Sequence, residues 1–185
     1  MRWSWLPNAL SISRILLVPP SVLALLAARY DVTLLCFGCA AISDGLDGWL
    51  AKTFGWTSRL GKILDPIADK LLLVSLYLVL AFLGLVPIWL AAAVVLRDAI
   101  IVLGAIVYRL LVGYIEGHPT AVSKLNTLLQ LLFVLTVVVH AQWPILPISV
   151  LTWLGAMVFV TTVVSGLDYV LTYAREAIRA KRVTT

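Results

Sequence analysis

The chain has 185 residues, of which 62% are hydrophobic and only 12% are charged. Soluble domains are typically about 45–50% apolar and about 25% charged, so this composition excludes an ordinary soluble domain and predicts an all-α polytopic membrane protein, with a single domain over residues 1–185. The net charge of +5 does not indicate nucleic-acid binding, because the basic residues lie between apolar segments and in a basic tail that suits an anionic membrane surface.

The hydrophobic pattern predicts an N-terminal interfacial helix followed by six transmembrane helices. The opening "MRWSWLPNAL" offers Trp3 and Trp5 to the lipid and Arg2 to the headgroups, which is typical of a helix lying in the membrane surface. Because the first span carries Pro19 and Pro20, we expect it to be kinked or continuous with that helix. The spans are predicted over Ile15–Ala28, Val32–Lys52, Leu64–Leu85, Ile88–Leu111, Val122–His140 and Ile148–Tyr173.

The distribution of basic residues predicts the orientation in the membrane. The loops that follow spans two and four, together with the start of span five, hold Arg59, Lys62, Arg109 and Lys124, and both termini are also basic. The loops on the other side hold a single basic residue, Arg29. The positive-inside rule therefore places both termini and the segment between spans two and three at the cytoplasmic face. No transit peptide is recognised, which favours a bacterial inner (plasma) membrane over its eukaryotic counterpart, the mitochondrial inner membrane.

Four aspartates lie in the stretch "SDGLDGWLAKTFGWTSRLGKILDPIADK". Asp44 and Asp47 are spaced i, i+3 at the end of span two, and Asp65 and Asp69 are spaced i, i+4 at the start of span three. Each pair therefore shares one helix face. Clustered carboxylates at membrane depth are costly unless a cation lies between them, and Mg²⁺ prefers carboxylate and phosphate oxygens. The spacing thus predicts a site for two divalent ions that clamp a diphosphate.

Small and basic residues surround these aspartates. The small ones would let a nucleotide or phosphate approach the backbone; they are Gly45, Gly48, Ala51 and Gly61. The basic ones are Lys52, Arg59, Lys62 and Lys70. The alternative interpretation is that the aspartates and lysines form salt bridges that only fix the helix ends.

Polar residues also lie within spans four and five. Arg97 and Asp98 in span four can form a structural pair that stabilises helix packing, or Arg97 can contact a phosphate of the acceptor. Lys124 and Asn126 open span five, and Gln130 lies one turn further on.

The aspartate motif resembles the signature of the CDP-alcohol phosphatidyltransferases, D-x2-D-G-x2-A-R followed by eight or nine residues and G-x3-D-x3-D. The matching positions are Asp44, Asp47, Gly48, Ala51, Gly61, Asp65 and Asp69. Lys52 stands where the family has arginine, which keeps the charge but loses the bidentate fork. The opening "PNALSISR" and the six-span layout resemble the family as well.

The resemblance implies a homodimeric enzyme that binds CDP-diacylglycerol and transfers its phosphatidyl group to an acceptor hydroxyl, with release of CMP. It implies that Asp44, Asp47 and Asp65 bind two Mg²⁺ or Mn²⁺ ions, and that Asp69 lies at the metal site and acts as the general base. The CDP-diacylglycerol site that it implies comprises Asp44, Asp47, Gly48, Ala51, Lys52, Arg59 and Gly61.

Two acceptors are favoured within the family, ahead of inositol phosphate and serine. The segments "LRDAIIVLGAIVYR" and "PTAVSKLNTLLQ" are most similar to cardiolipin synthases, whose acceptor is phosphatidylglycerol. Phosphatidylglycerophosphate synthases, which use glycerol 3-phosphate, often carry a second basic residue where this chain has Asn126. The acceptor-binding candidates are Arg97, Lys124 and Asn126. A cation transporter is the remote alternative, although such proteins often have repeated halves and this sequence shows no repeat.

Overall fold

The computed structural model describes the backbone of residues 6–54, 61–111 and 120–183, and the side chains of residues 9, 11–44, 67–68, 70–104 and 120–172. Over these ranges the backbone forms α-helices and no β-strand, which confirms the predicted all-α class. The helices are α1 (Leu6–Leu26), α2 (Tyr30–Phe54), α3 (Gly61–Phe82), α4 (Ile88–Leu111), α5 (Ala121–Gln142) and α6 (Ile148–Val183).

Helix α1 begins well before the predicted first span. From Leu6 onward, the segment predicted as an interfacial helix is continuous with that span, while residues 1–5 lie outside the described residues. Pro7 falls in the first turn, where a missing N–H costs nothing because that turn has no intrahelical acceptor. Pro19 and Pro20 lie inside the helix, where each removes one backbone hydrogen bond. Of the two alternatives considered from the sequence, the continuous helix is the one observed.

Helices α1 and α3 both end in a left-handed residue. After α1, the N–H of Ala28 donates to the carbonyl of Leu25 at 3.1 Å and the N–H of Arg29 donates to that of Ala24 at 2.8 Å. This is the Schellman pattern, which satisfies the last carbonyls of the helix. Its left-handed residue is Ala28, with φ 54°, whereas Gly84, with φ 73°, takes the same place after α3. An alanine is strained in this conformation and a glycine is not.

The starts of α4, α5 and α6 have recognisable local causes. Pro87 and Pro147 immediately precede α4 and α6, and their carbonyls accept bonds from the first turns. Thr120 caps α5, since its Oγ1 accepts from the N–H of Ser123 at 3.3 Å. These signals explain why the predicted starts of α4 and α6 agree with the observed ones.

The sixth helix is longer than predicted, because it continues past Tyr173 to Val183. The additional turns contain mostly Ala, Arg, Glu and Lys, which are strong helix formers even where no apolar pattern is present.

The chain divides into two compact units. The first comprises Met1–Val86 and Val134–Leu146, and within it α1 packs against α2 and α3. Its buried core includes Leu25, Leu76 and Leu80. Helix α1 is therefore the element that supports both helices of the aspartate motif.

The second unit comprises Pro87–Phe133 and Pro147–Thr185, and within it α4 packs against α6. The helices approach closely at Gly155 of α6, where an added Cβ would lie 3.6 Å from the Leu90 side chain of α4 and 3.3 Å from the Phe133 ring of α5. Two packing units of this kind are compatible with the predicted single domain over residues 1–185, which stays a prediction.

Two of the described helical segments are long and apolar enough to cross a membrane, namely Ala121–Gln142 and Ile148–Thr172. Two shorter apolar segments, Ser11–Leu26 and Lys70–Phe82, fall below that length. Large apolar side chains are exposed on every one of the six helices, with Phe82 82% exposed and Ile88 75% exposed. Extensive exposed apolar surface of this kind favours a membrane protein.

Candidate active site

The four aspartates occupy helical positions in α2 and α3. Asp44 and Asp47 lie in the second half of α2, and Asp65 and Asp69 lie in the first half of α3. The helical spacing puts the two members of each pair on one face of their helix. The side chains of Asp47, Asp65 and Asp69 lie outside the described residues, so the convergence of the two pairs stays a prediction.

The predicted nucleotide-binding residues lie on the same elements. Gly48, Ala51 and Lys52 belong to α2, and Gly61 is the first residue of α3. Their side chains, and all of Arg59, lie outside the described residues.

Asp44 is held by an arginine from another helix. Nη1 of Arg14, in α1, donates to Oδ1 of Asp44, in α2, at 2.8 Å. The two side chains differ in exposure, because that of Arg14 is 1% exposed and that of Asp44 is 55% exposed. The ion pair therefore reaches from the packed interior of the first unit to an accessible carboxylate.

The chemistry of Asp44 fits a hard divalent cation. Its Oδ1 is engaged by Arg14, and its Oδ2 has no hydrogen-bond partner among the described residues, so an accessible carboxylate oxygen remains. Such oxygens are the protein ligands of Mg²⁺ and Mn²⁺. The described side chains contain no group of three or more His, Cys, Asp or Glu residues, since three of the four motif aspartates lie outside that part of the chain.

Arg97 connects three helices in the second unit. Its Nη1 donates to Oδ1 of Asp98 at 2.7 Å, and its Nη2 donates to the hydroxyls of Ser123, at 2.7 Å, and Ser165. The guanidinium also lies 5.8 Å from the ring centre of Tyr169, within the range of a cation–π contact. Of the two interpretations made from the sequence, the structural pair with Asp98 is observed. The contact with an acceptor stays a prediction.

Asn126 forms a second polar contact between α5 and α6. Its side chain is fully buried, and its Oδ1 accepts hydrogen bonds from the hydroxyls of Thr161 and Thr162, both at 2.9 Å. The Nδ2 end of the amide and Nε of Arg97 are buried without a hydrogen-bond partner in the described part of the chain. Buried polar groups without a protein partner are places where water or a ligand oxygen binds.

The third acceptor candidate differs from the other two. Lys124 is exposed on α5, whereas Ser123, Asn126 and Gln130 form a buried polar stripe on that helix. The structure thus brings Arg97 and Asn126 into the interior of one unit and leaves Lys124 at its surface.

Several polar residues were missed by the sequence interpretation. Arg14 lies in "PNALSISR" and was noted only for the family resemblance, although an arginine inside an apolar helix is itself a signal. Thr161, Thr162 and Ser165 lie in an apolar span with no charged residue beside them. No local pattern distinguishes hydroxyls that also reach another helix from hydroxyls that bond only to their own helix.

The comparison with known proteins identifies the family. The family model of the CDP-alcohol phosphatidyltransferases matches residues 4–164. The chain belongs to this family.

Named relatives come from both animals and bacteria. The chain is 34% identical to the cardiolipin synthase (CMP-forming) of Rattus norvegicus, over 70% of this chain and 48% of that protein. It is 31% identical to the "Probable cardiolipin synthase (CMP-forming)" of Drosophila melanogaster, over 90% of this chain and 56% of that protein. It is 33% identical to the "Probable phosphatidylglycerophosphate synthase" of Mycobacterium tuberculosis, over 92% of this chain and 82% of that protein. The chain spans about half the length of the two animal synthases.

Proposed function

We propose that this protein transfers the phosphatidyl group of CDP-diacylglycerol to an acceptor hydroxyl and releases CMP. The observation that carries the proposal is the complete four-aspartate motif, located on α2 and α3 of a chain that belongs to this family. The reaction forms a bond between the acceptor oxygen and the phosphorus that bears diacylglycerol. The bond from that phosphorus to CMP breaks, and CMP leaves with the bonding electron pair.

We propose that Asp44, Asp47, Asp65 and Asp69 hold two Mg²⁺ or Mn²⁺ ions. The accessible Oδ2 of Asp44, beside an Oδ1 already engaged by Arg14, supports this assignment. Bound divalent ions neutralise the negative charge that builds up on the diphosphate as the bond breaks.

The protein's own residues bind the donor and move one proton. Asp69 takes the proton of the acceptor hydroxyl, which requires its carboxylate within hydrogen-bond reach of that oxygen. Small residues at positions 48, 51 and 61 leave room for the cytidine, and Lys52 and Arg59 neutralise phosphate charge. Phosphoryl-type transfer depends mostly on such positioning and electrostatic stabilisation.

For the acceptor, we propose contacts with Arg97, Lys124 and Asn126. Support comes from the two buried nitrogens that lack a partner among the described residues, Nε of Arg97 and Nδ2 of Asn126. A hydroxyl or phosphate oxygen of the acceptor would satisfy them.

The acceptor favoured here is phosphatidylglycerol, which would make the protein a cardiolipin synthase. Glycerol 3-phosphate is a dianion and should require more positive charge than phosphatidylglycerol, yet Asn126 and the hydroxyls around it are neutral and Arg97 is already paired with Asp98. The second candidate acceptor is glycerol 3-phosphate itself. Support for this second acceptor comes from the similarity to the mycobacterial "Probable phosphatidylglycerophosphate synthase", which extends over most of both chains.

We further propose that all six helices span the membrane, that the chain is a single domain and that it forms a homodimer. The basic loops support an active site at the cytoplasmic face of a bacterial inner membrane. The exposed apolar residues on all six helices support the spans, and the family resemblance supports the dimer.

An acceptor panel tests the function. Purified full-length protein in detergent would receive CDP-diacylglycerol, Mg²⁺ or Mn²⁺, and either phosphatidylglycerol, glycerol 3-phosphate, inositol phosphate or serine. Cardiolipin and CMP formed with phosphatidylglycerol would support the favoured acceptor, whereas a product with glycerol 3-phosphate alone would support the second candidate. The absence of CMP with every acceptor under both metals would contradict phosphatidyl transfer and favour the transporter alternative.

A further inference from the structure

Two arginine–aspartate pairs in the first unit join α1, or the turn after it, to α2, and they differ sharply. Arg29 and Asp31 lie 3.7 Å apart, with side chains 66% and 53% exposed, as expected of an ordinary surface pair. Arg14 and Asp44 lie 2.8 Å apart, and the arginine is 1% exposed while the aspartate is 55% exposed. The second pair therefore joins a buried cation to an accessible anion.

A buried arginine is costly unless it is paired, so its position requires an explanation. If the pair served only to stabilise the packing, we would expect both carboxylate oxygens to bond to the guanidinium and both side chains to be buried. Instead only one of the two carboxylate oxygens of Asp44, Oδ1, accepts a hydrogen bond from Arg14. One oxygen is fixed from inside the protein, and the other stays accessible.

The arginine is anchored on a packed helix. Ser11, Arg14, Ser21 and Leu25 are all buried and recur at helical spacing along α1. This face belongs to the helix that packs against both α2 and α3. A guanidinium held in this way can fix the rotation of the Asp44 carboxylate.

We propose that Arg14 is a positioning residue that holds Oδ1 of Asp44 so that Oδ2 is presented to a divalent cation. The inference rests on the proposed function, because it assigns Asp44 to the metal site. Outer-shell partners of this kind fix the orientation of a ligating group, and their loss typically weakens metal affinity by about 10–100-fold.

The positive charge of Arg14 by itself weakens the binding of a nearby cation, because like charges repel. Removing the charge alone would tighten binding, and removing the orientation would weaken it. The direction of the change therefore distinguishes a positioning residue from a nearby charge.

The test measures binding of Mn²⁺ alone, without lipid substrate, by the electron paramagnetic resonance signal of free Mn²⁺ in the purified full-length protein. Arg14→Met removes both the bond and the charge while keeping an apolar stem in the buried position. We expect its Mn²⁺ affinity to fall about 10–100-fold. Arg14→Lys keeps the charge without the planar guanidinium, and we expect a smaller fall of several-fold. Arg29→Gln, the matched control from the exposed pair, should bind like the wild type.

A double-mutant cycle locates the effect. In an Asp44→Asn background, Arg14→Met should change the remaining affinity by less than about twofold, because the group on which it acts is already altered. An equal loss in both backgrounds would show that Arg14 acts elsewhere and would overturn the proposal. Unchanged or tighter binding in Arg14→Met would also overturn it. Helical circular dichroism would show whether Arg14→Met folds. If it does not fold, a wild-type Mn²⁺ affinity in Arg14→Lys would overturn the proposal. A wild-type protein that binds no Mn²⁺ would contradict the proposed metal site itself, which separates the two failures.

Discussion

Arg97 and Asp98 are neighbours in the chain, and their side chains form a buried ion pair of 2.7 Å in α4. The same guanidinium reaches the hydroxyls of Ser123 on α5 and Ser165 on α6. One side chain therefore links three helices of the second unit. This arrangement explains how an arginine is tolerated in an otherwise apolar segment, because its charge is paired and its N–H groups are largely satisfied.

Replacing Arg97 should destabilise the protein strongly. Arg97→Gln breaks the buried ion pair with Asp98, so we expect a loss of about 3–5 kcal/mol in the free energy of unfolding. Ser123→Ala removes one hydrogen bond to a charged group and should cost about 1.5–3 kcal/mol. Chemical unfolding in detergent would measure both. The control is Lys124→Gln, at an exposed neighbouring position, whose free energy of unfolding should stay within about 0.5 kcal/mol of the wild type. A loss at Lys124 as large as that at Arg97 would contradict the stabilising role of the Arg97 contacts.

Asn126 should affect the acceptor more than the donor. Asn126→Leu keeps the shape of the side chain but removes the buried amide, so we expect the KM for the acceptor to rise by about tenfold or more. The KM for CDP-diacylglycerol should change little. Steady-state kinetics with each substrate varied in turn would measure the difference. The control is Thr127→Val, because the hydroxyl of Thr127 bonds only to its own helix, at the carbonyl of Ser123. Equal changes in both KM values would contradict an acceptor contact.

The turn after α1 offers a stabilising substitution. Ala28 has φ 54°, which alanine adopts only with strain, so Ala28→Gly should raise the free energy of unfolding by about 0.5–1 kcal/mol. The reverse change at the equivalent position, Gly84→Ala, should lower it by about 1 kcal/mol. Thermal unfolding of the two variants beside the wild type would show whether each substitution raises or lowers the stability. Destabilisation by Ala28→Gly would show that the left-handed turn is not strained.

Asp69→Asn should abolish transfer, because an amide cannot take the proton from the acceptor hydroxyl. CDP-diacylglycerol should still bind, since the other three aspartates and the nucleotide-binding residues are unchanged. Turnover and donor binding would be measured on the same preparation. Retained turnover would contradict the general-base assignment.

Lys52→Arg restores the residue that the family signature has at this position. If the position requires only positive charge and reach, the substitution should leave the rate of CMP release within a few-fold of the wild type. A large loss would show that the local geometry depends on lysine, whose compact ammonium differs from the planar fork of arginine.

Long apolar runs and proline boundaries made much of the fold predictable. Helix α4 was predicted with its observed bounds, because Pro87 precedes it and its apolar run is unbroken. The continuity of α1 with the opening helix was one of two alternatives left open, since Pro7 was not recognised as a first-turn proline. The extension of α6 was not predicted, because hydropathy detects lipid contact and not helix propensity.

The candidate site was predictable only in its local part. The spacing of the aspartates is a sequence pattern, and their positions in α2 and α3 agree with it. The contact of Arg14 with Asp44 joins residues on different helices, thirty positions apart, and no local pattern encodes such a pair. The bonds of Arg97 to Ser123 and Ser165 likewise depend on helix packing.

Phosphatidyl transfer itself is tested most directly by the products formed from CDP-diacylglycerol and phosphatidylglycerol. Purified protein would be incubated with both lipids and Mg²⁺ or Mn²⁺, and CMP and lipid products would be quantified together over time. We expect CMP and cardiolipin in equal amounts, with neither formed when the metal is chelated. Phosphatidic acid formed in place of CMP would mean attack at the other phosphorus. That result, or the lack of any product with every acceptor in the panel, would contradict the proposed reaction.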